Sequence, residues 1–402
     1  MAPALSICVP SRNRQQTFLQ TIRDLTASPR PDVEFIFADN SDDPAIADGA
    51  MTAITDPRIR YLPSLDHALP MQDNWERVMQ AATGDWVIFI GDDDYVDPDV
   101  IDTILEIVRR RPEVDAVGWA RMSFKWPDYR PFAGNAAVAL GNGVHLLDRQ
   151  EQLRVVFTWQ GASPVPKTAF SVYHGAVRRT AMERIRDHFA GRFFEHPTVD
   201  FDCSCKLLLT ARELVYVDRS FSVAGSTASS NSSAVGRFAR VKEINAKLTQ
   251  DEGPRFEVPS FPFTSRLGVA GSILGTLYWF TQRYGLPMEG WEENFLRALE
   301  IDCGKAEDRT SFDLHVAACR DALARWRGGA LLDAFKPRYL PLGRSAAYTG
   351  LIGTNLFVDE TIGDCRTPAE FYGFVSGILP PAETLHYTFA AVAAQGAVTT
   401  AA

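Results

Sequence analysis

The sequence predicts an α/β fold, a mixed sheet with flanking helices followed by a mainly helical carboxyl-terminal region. Three observations carry this expectation. The first third alternates short β-rich runs with helical periodicities, the pattern of a largely parallel sheet covered by helices. The most apolar of those runs, residues 86–90, ends on Gly91 and three consecutive aspartates. From Phe238 onward helical patterns dominate. At 402 residues the chain exceeds one average domain. A composition of 46% hydrophobic and 23% charged residues is that of a compact protein rather than a disordered one.

Residues 5–9 open the series as a strand. Residues 15–26 follow as a helix, with Phe18, Leu19, Ile22 and Leu25 on one face, and residues 33–38 (VEFIFA) form a second buried strand. A polar turn over 39–44 closes it. A short strand at 59–62, a helix at 71–82 and a Gly84-Asp85 turn lead into the strand at 86–90. Pro98 stands where a helix can begin, and Arg109, Arg110 and Arg111 suit the negative end of its dipole, a solvated helix end more than a phosphate site. A fifth strand is expected at 116–119, after which glycine and proline become frequent and the alternation fades through Gly143. Helices at 149–157, 180–189 and 201–210 and strands at 171–178 and 214–217 read as a mixed extension of the same sheet. Residues 225–236 (GSTASSNSSAVG) are small and polar, a lid or a plain linker with equal weight. The expected organisation is therefore a first domain over 1–225, divided near residue 120, a flexible loop or linker over 226–236, and a helical region over 237–402. The alanine-rich end after Ala390 is expected to fray.

A net charge of −9 argues against a partner bound through a nucleic-acid backbone. Cys8, Cys203, Cys205, Cys303, Cys319 and Cys365 form no CxxC pair and no regular framework, so they read as buried thiols of a reducing compartment, not as a zinc site. The amino terminus shows no basic, apolar and small-residue succession of a secretion signal. Residues 267–280 are apolar but interrupted, and fall short of the roughly 20 residues a membrane span needs. A packed helix in a cytoplasmic protein is expected, with peripheral membrane contact and homo-oligomerisation left open.

Residues 86–98, WVIFIGDDDYVDP, carry the strongest chemical signal: a buried strand delivers Asp92, Asp93 and Asp94 just past its carboxyl end, where ligands bind in open α/β sheets. Adjacent carboxylates repel, so a cation or polar ligand is the natural compensation, although acidic turns often serve only as solvated loops. Mg²⁺ or Mn²⁺ prefers oxygen ligands and is usually held by one or two carboxylates plus substrate phosphates. Two further strand ends should converge on that edge, Pro10-Ser11-Arg12-Asn13-Arg14 and Asp39-Asn40-Ser41. Arg12 can face a phosphate or base, and Asp39 can accept hydrogen bonds from a base or ribose. His174 and His196 lie near the same region in sequence; each reads first as a structural histidine, with His196 the better functional candidate.

The succession SICVPSRNR, FIFADNS and MQDNWERVMQAATGDWVIFIGDDDYVDPDVI resembles the nucleotide-binding half of family 2 glycosyltransferases of the GT-A fold. The likeness covers residues 4–120 well and extends more weakly to about residue 225, and it rests on order and spacing rather than on one piece. It implies a Rossmann-like GT-A sheet, a nucleotide-sugar part over 1–120 and an acceptor and catalytic part over 121–225. Pro10, Ser11 and Arg12 would border the nucleotide, Asp39 the base, and Asn74 the donor pocket. Asp92 and Asp93 would hold ribose and diphosphate, and Asp94 the metal. Family members often carry Asp-x-Asp-Asp here, whereas this chain has Gly91 at the first position, which leaves open which of Asp92 and Asp93 meets the ribose. Residues 197–207, PTVDFDCSCKL, resemble the family's Glu-Asp motif, with Asp200 at the catalytic base and Val199 in place of the glutamate. Asp202 and Glu195 compete for that role, and Asp200 alternatively caps a helix.

The resemblance implies inverting transfer from a nucleoside-diphosphate sugar, most often a uridine diphosphate sugar, to a hydroxyl of a saccharide or glycolipid, in surface polysaccharide or glycan synthesis, with Mn²⁺ or Mg²⁺ as cofactor. A sugar nucleotidyltransferase, which ordinarily shows a glycine-rich basic loop after the first strand, and a non-catalytic carbohydrate-binding protein are the competing readings.

Overall fold

The computed structural model describes residues 3–130, 134–161, 163–166, 168, 170–230, 237–238, 240, 243, 256–340 and 348–392. Its amino-terminal third keeps the expected alternation and adds to it a short helix, α2, and a two-residue strand, β5: β1 (Leu5–Ser11), α1 (Gln15–Thr26), β2 (Val33–Asp39), α2 (Ala45–Met51), β3 (Ile59–Leu62), α3 (Met71–Ala81), β4 (Trp86–Phe89), β5 (Tyr95–Val96) and α4 (Val100–Arg110). Strands β1, β2, β3 and β4 are mutually parallel, with Ser11 in register with Asp39 and Cys8 with Phe89. That register brings the turns after β1, β2 and β4 to one edge of the sheet, which is the geometric condition for a shared ligand site.

Both faces of these strands are covered, so their sequences run almost continuously apolar instead of alternating. On one face Leu5, Ile7 and Val9 pack with Phe18, Ile22 and Leu25 of α1 and Ile101 and Ile104 of α4. On the other, Cys8 and Ile36 join Val78 and Met79 of α3 and a larger apolar mass from the rest of the chain. Arg109 and Arg110 pair with Glu106, and Arg111 with Glu213, so the basic triplet closes a helix end as expected.

The sheet continues through β6 (Val114–Lys125), β7 (Asn135–Leu147), β8 (Gly175–Arg178) and β9 (Glu213–Ser226), interleaved with α5 (Arg149–Phe157), α6 (Arg179–His188) and α7 (Val199–Thr210). Then come α8 (Gly268–Tyr284), α9 (Glu292–Gly304), α10 (Arg309–Arg325), β10 (Gly350–Ile352), β11 (Asn355–Asp359), α11 (Pro368–Ser376) and β12 (His386–Val392). Strand order is β10-β11-β7-β9-β6-β8-β4-β1-β2-β3, with β12 beside β7 and β5 beside β9. Strand β8 runs antiparallel between β4 and β6, which makes the sheet mixed.

Two larger features also differ from the sequence expectation. Strand β7 occupies the stretch where alternation faded, because its glycines, Gly141 and Gly143, sit against the side chains of Asp218 and His145 where a Cβ would collide. The carboxyl-terminal region, mainly helical as expected, also returns three short strands to the β7 edge. Residues 231–236 of the low-complexity stretch and the end after residue 392 lie outside the described residues. Helix α8 buries Ala270, Leu274, Leu277 and Phe280 in the protein, and among the described residues no helix is long and apolar enough to cross a membrane.

Candidate active site

The site is built on the turn after β1. Asn13 has a φ of 59°, the left-handed conformation that asparagine tolerates better than most residues. Its amide zips this turn to the one after β2: Nδ2 donates to Asp42 at 2.8 Å and Oδ1 accepts the Asp42 N–H at 2.9 Å. The bend sends Arg14 toward the aspartates past β4. Its guanidinium lies 2.5 Å from Asp92 Oδ1 and 3.0 Å from Asp93 Oδ2, so one cation spans two carboxylates. Ser11 donates to Asp92 Oδ2 at 2.5 Å, and Ser230 donates to Asp93 Oδ2. Arg12 instead pairs with Asp42 on the neighbouring turn, and Pro10 is buried within the β1–β2 ladder.

Asp94 is engaged on both oxygens. Oδ2 accepts from the Gly91 N–H at 2.7 Å, the Tyr173 hydroxyl at 2.6 Å and His174 Nε2 at 3.0 Å, while Oδ1 accepts from the Gly225 N–H at 2.7 Å. Asp93 differs: its Oδ2 carries the bonds from Arg14 and Ser230, and Oδ1 accepts none among the described residues. The acidic tip therefore has an inner carboxylate that organises the loop and an outer one with an oxygen to spare.

The titration behaviour follows from this arrangement. Burial alone would raise Asp94, yet contact with His174 and hydrogen bonds from His174, Tyr173 and Gly91 hold it at about 2. Burial and then the Asp94 charge lift Asp93 to about 7, with Arg14 opposing. Burial raises Asp92 as well, offset in part by Arg14 and Ser11. Burial pushes His174 down, with the Asp94 charge and its hydrogen bond opposing, and the ring presents Nε2 to the Asp94 carboxylate. His174 also has a φ of 55°, a strained position next to the aspartates.

Asp39 ends β2 with its Oδ1 accepting from the Ser41 N–H at 3.1 Å and hydroxyl at 2.6 Å, while its Oδ2 is buried with no partner among the described residues. A buried carboxylate oxygen without a donor is costly unless a ligand supplies one. Asn74 reaches this strand end through Arg77, which donates to Asn74 Oδ1 and to the Asp39 carbonyl, each at 2.9 Å.

The remaining candidates lie at and just before the start of α7. The three candidate carboxylates separate by their partners. Asp202 Oδ2 accepts from the Glu195 and His196 N–H groups and pairs with the buried Lys206 ammonium at 3.0 Å. Glu195 takes the Tyr284 hydroxyl and Arg283. Among the described residues the Asp200 carboxylate accepts one hydrogen bond, from the Phe201 N–H at 3.0 Å on Oδ1. Burial raises its carboxyl above the ordinary range, with that N–H and the positive charge of Arg121 opposing. His196 turns into the protein, where Nδ1 accepts the Thr198 N–H at 3.1 Å and burial with Lys206 nearby pushes the ring to about 3. His174, not His196, is the histidine on the aspartate cluster.

Sequence reasoning missed Arg14 and Arg121. Arg121, on β6, is exposed, makes no ion pair among the described residues, and its charge acts on Asp200 as well as on Tyr173 and His174 beside the aspartate cluster. The repeated arginine of the SRNR turn was the available signal for Arg14; nothing local marked Arg121. The first half of the low-complexity stretch closes on the site through Gly225 and Ser230, and a Cβ on Gly225 would lie 1.7 Å from the Asp93 carbonyl oxygen.

Comparison with known proteins gives one family match: the model described as glycosyl transferase family 2 matches residues 6–180, which contain β1 to β8 and the aspartate triplet and end before Asp200. No curated protein matches the chain. Similar solved structures include S. aureus TarS 1–349, 13% identical, covering 83% of this chain and 92% of that one at a TM-score of 0.41. The same TarS piece in complex with UDP-GlcNAc is 12% identical, covering 82% of this chain and 91% of that one at a TM-score of 0.40.

Proposed function

Residues 6–180 form a glycosyl transferase family 2 domain and the chain is a glycosyltransferase, and from this premise we propose that it is an inverting enzyme. It moves a sugar from a nucleoside-diphosphate sugar to a hydroxyl of a saccharide or glycolipid in surface glycan synthesis. The observation that carries this reading is the shared sheet edge, where the unpartnered Asp39 oxygen and the Asp92–Asp93 pair face the turn that holds Arg14. Asp39 receives an N–H or O–H of the nucleoside. The diphosphate lies toward Asp92, Asp93 and Arg14, with Ser11 and Ser230 completing the cradle. A uridine diphosphate sugar is the first donor to test.

Three carboxylates stand together with one guanidinium that pairs two of them, an oxygen-only donor set with negative charge in excess, which fits a hard divalent cation. Asp93 offers the free oxygen for Mn²⁺ or Mg²⁺, and Asp94, the residue the sequence suggested as ligand, holds the loop in place through its four donors. When bound, the cation supplies Lewis-acid stabilisation of the leaving diphosphate. Arg14 adds positive charge at the same point.

Asp200 is the base. Its carboxylate takes the acceptor's hydroxyl proton as that oxygen bonds to the anomeric carbon, while the bond from that carbon to the nucleoside diphosphate breaks on the opposite face. Its proximity to the acceptor hydroxyl, and the proton transfer itself, contribute on the order of 100- to 10,000-fold. The raised carboxyl makes Asp200 a stronger base than an exposed aspartate.

Purified protein incubated with Mn²⁺ and a panel of nucleotide-sugars tests the reading. One donor should release its nucleoside diphosphate in parallel with a free or transferred sugar of inverted configuration. Formation of a nucleoside triphosphate and a sugar 1-phosphate from a nucleotide-sugar on addition of pyrophosphate would instead assign a nucleotidyltransferase, and inertness toward every donor, with no nucleotide binding by calorimetry, would remove the enzymatic reading.

A further inference from the structure

The carboxyl-terminal helices bring together a second cluster of reactive side chains that has no part in sugar transfer. Cys303 lies in the last turn of α9, and His315 and Cys319 lie one turn apart on α10, so that both project from one helical face. All three are buried, and one ligand atom from each lies within 4.8 Å of the others.

The distances discriminate between a disulfide and a shared ion. The two sulfurs are 3.7 Å apart, well beyond the ~2.05 Å of an S–S bond. It matches the edge of a tetrahedron built on metal–sulfur bonds of about 2.3 Å, which is about 3.8 Å. His315 Nε2 lies 2.8 Å from the Leu267 carbonyl oxygen. Donating that N–H fixes the tautomer and leaves the lone pair on Nδ1, the arrangement in which ligating histidines are held by an outer partner. Phe238 stacks on the imidazole at a centroid distance of 4.4 Å and shields it. The buried Asp302 carboxylate adjoins the cluster in sequence and accepts the Ala270 N–H at 3.1 Å.

We propose that Cys303, His315 and Cys319 bind a zinc ion, with the fourth position completed by solvent or Asp302. Thiolate and imidazole ligands suit a borderline-soft cation and exclude Mg²⁺ and Ca²⁺. Each thiol that binds gives its proton to solvent, so occupancy rises with pH. The ion ties the end of α9 to α10 and, through Leu267, to the start of α8. Helix α8 in turn donates from Thr276 to Thr198 at 2.9 Å, at the foot of the helix that carries Asp200. The zinc site therefore braces the helix that presents the base, as a structural ion held by none of the residues of the acidic tip.

Full-length protein purified under reducing conditions tests this by elemental analysis, followed by chelation and titration of the metal-free wild type with Co²⁺ alone. The expected result is one zinc per chain and, with cobalt, a thiolate-to-metal charge-transfer band together with tetrahedral d–d absorption. Cys303→Ser and Cys319→Ser should each lose the zinc and the thiolate band. Wild-type protein with titratable thiols but no zinc and no cobalt–thiolate band would overturn the proposal, as would a native Cys303–Cys319 disulfide found by mass spectrometry. Because the cobalt titration uses the unaltered chain, a variant that misfolds does not leave the question open.

Discussion

Asp93→Asn should make the folded protein more stable at alkaline pH while impairing its cation site. The folded chain holds the Asp93 proton until about pH 7, whereas an ordinary aspartate releases it near 3.8. As pH climbs between those values the unfolded chain ionises freely and the folded chain does not, so wild-type stability falls across that window. The full separation sets a ceiling of about 4 kcal/mol. The amide keeps an acceptor for Ser230 but loses charge-assisted bonding to Arg14, which returns about 1–2 kcal/mol. The net gain is then about 2–3 kcal/mol. For a 402-residue chain, an unfolding entropy of about 2 cal/mol/K per residue makes each kcal/mol worth about 1 °C. Scanning fluorimetry of chelator-treated protein should therefore show the variant melting about 2–3 °C above wild type at pH 8 and level with it at pH 5. Added Mn²⁺ should stabilise wild type at pH 8 and leave the variant almost unmoved. A variant that melts at or below wild type at pH 8, or that gains as much at pH 5, would refute the assignment of Asp93 as the strained, cation-seeking carboxylate.

Asp200→Asn should cut transfer by about 100- to 10,000-fold while nucleotide affinity, followed by calorimetry, stays within about twofold. A variant retaining near-normal turnover would exclude Asp200 as the base. Because burial raises the Asp200 carboxyl, the wild-type rate should fall on the acid side at a pH above the ordinary aspartate value, since the base must be ionised to accept a proton. Asp39→Ala removes the unpartnered Oδ2 and should weaken nucleotide binding by about 10- to 100-fold; unchanged affinity would place the nucleoside elsewhere. Lys206→Met strips the buried Asp202 of its ammonium partner and should cost about 3–5 kcal/mol in denaturant titrations, so a loss below about 1 kcal/mol would show that Asp202 is protonated.

Much of the amino-terminal half was legible in the chain because its signals are local. Apolar runs of strand length, helical periodicities and polar turns recur within windows of a dozen residues, and parallel pairing then forces the turns after β1, β2 and β4 to one edge. The fading of alternation across β7 had the opposite cause: that strand is specified by its neighbours β9, β11 and β12 and by room for its glycines, none of which leaves a local period. The return of β10, β11 and β12 to the sheet was hidden for the same reason.

The acidic tip shows where that boundary falls within one site. Three adjacent aspartates after a buried strand are visible in the sequence, and so is the need to compensate their charge. Which group compensates is a matter of distance: Arg14 rather than Arg12 reaches them because Asn13 adopts a left-handed bend, and Asp94 is saturated by Tyr173, His174 and Gly225, from 79 to 131 positions away. The three carboxylates near α7 look alike in sequence and part only through Lys206, Tyr284 and the backbone N–H groups folded onto them. Cys303, His315 and Cys319 show no compact ligand spacing, and become a cluster when α9 packs on α10. Residue type and local period thus establish what chemistry the chain can offer and on which strands, while the burial, pairing and proton affinity of each group arise from residues far away in sequence, because electrostatic and hydrogen-bond energies depend on separation in space.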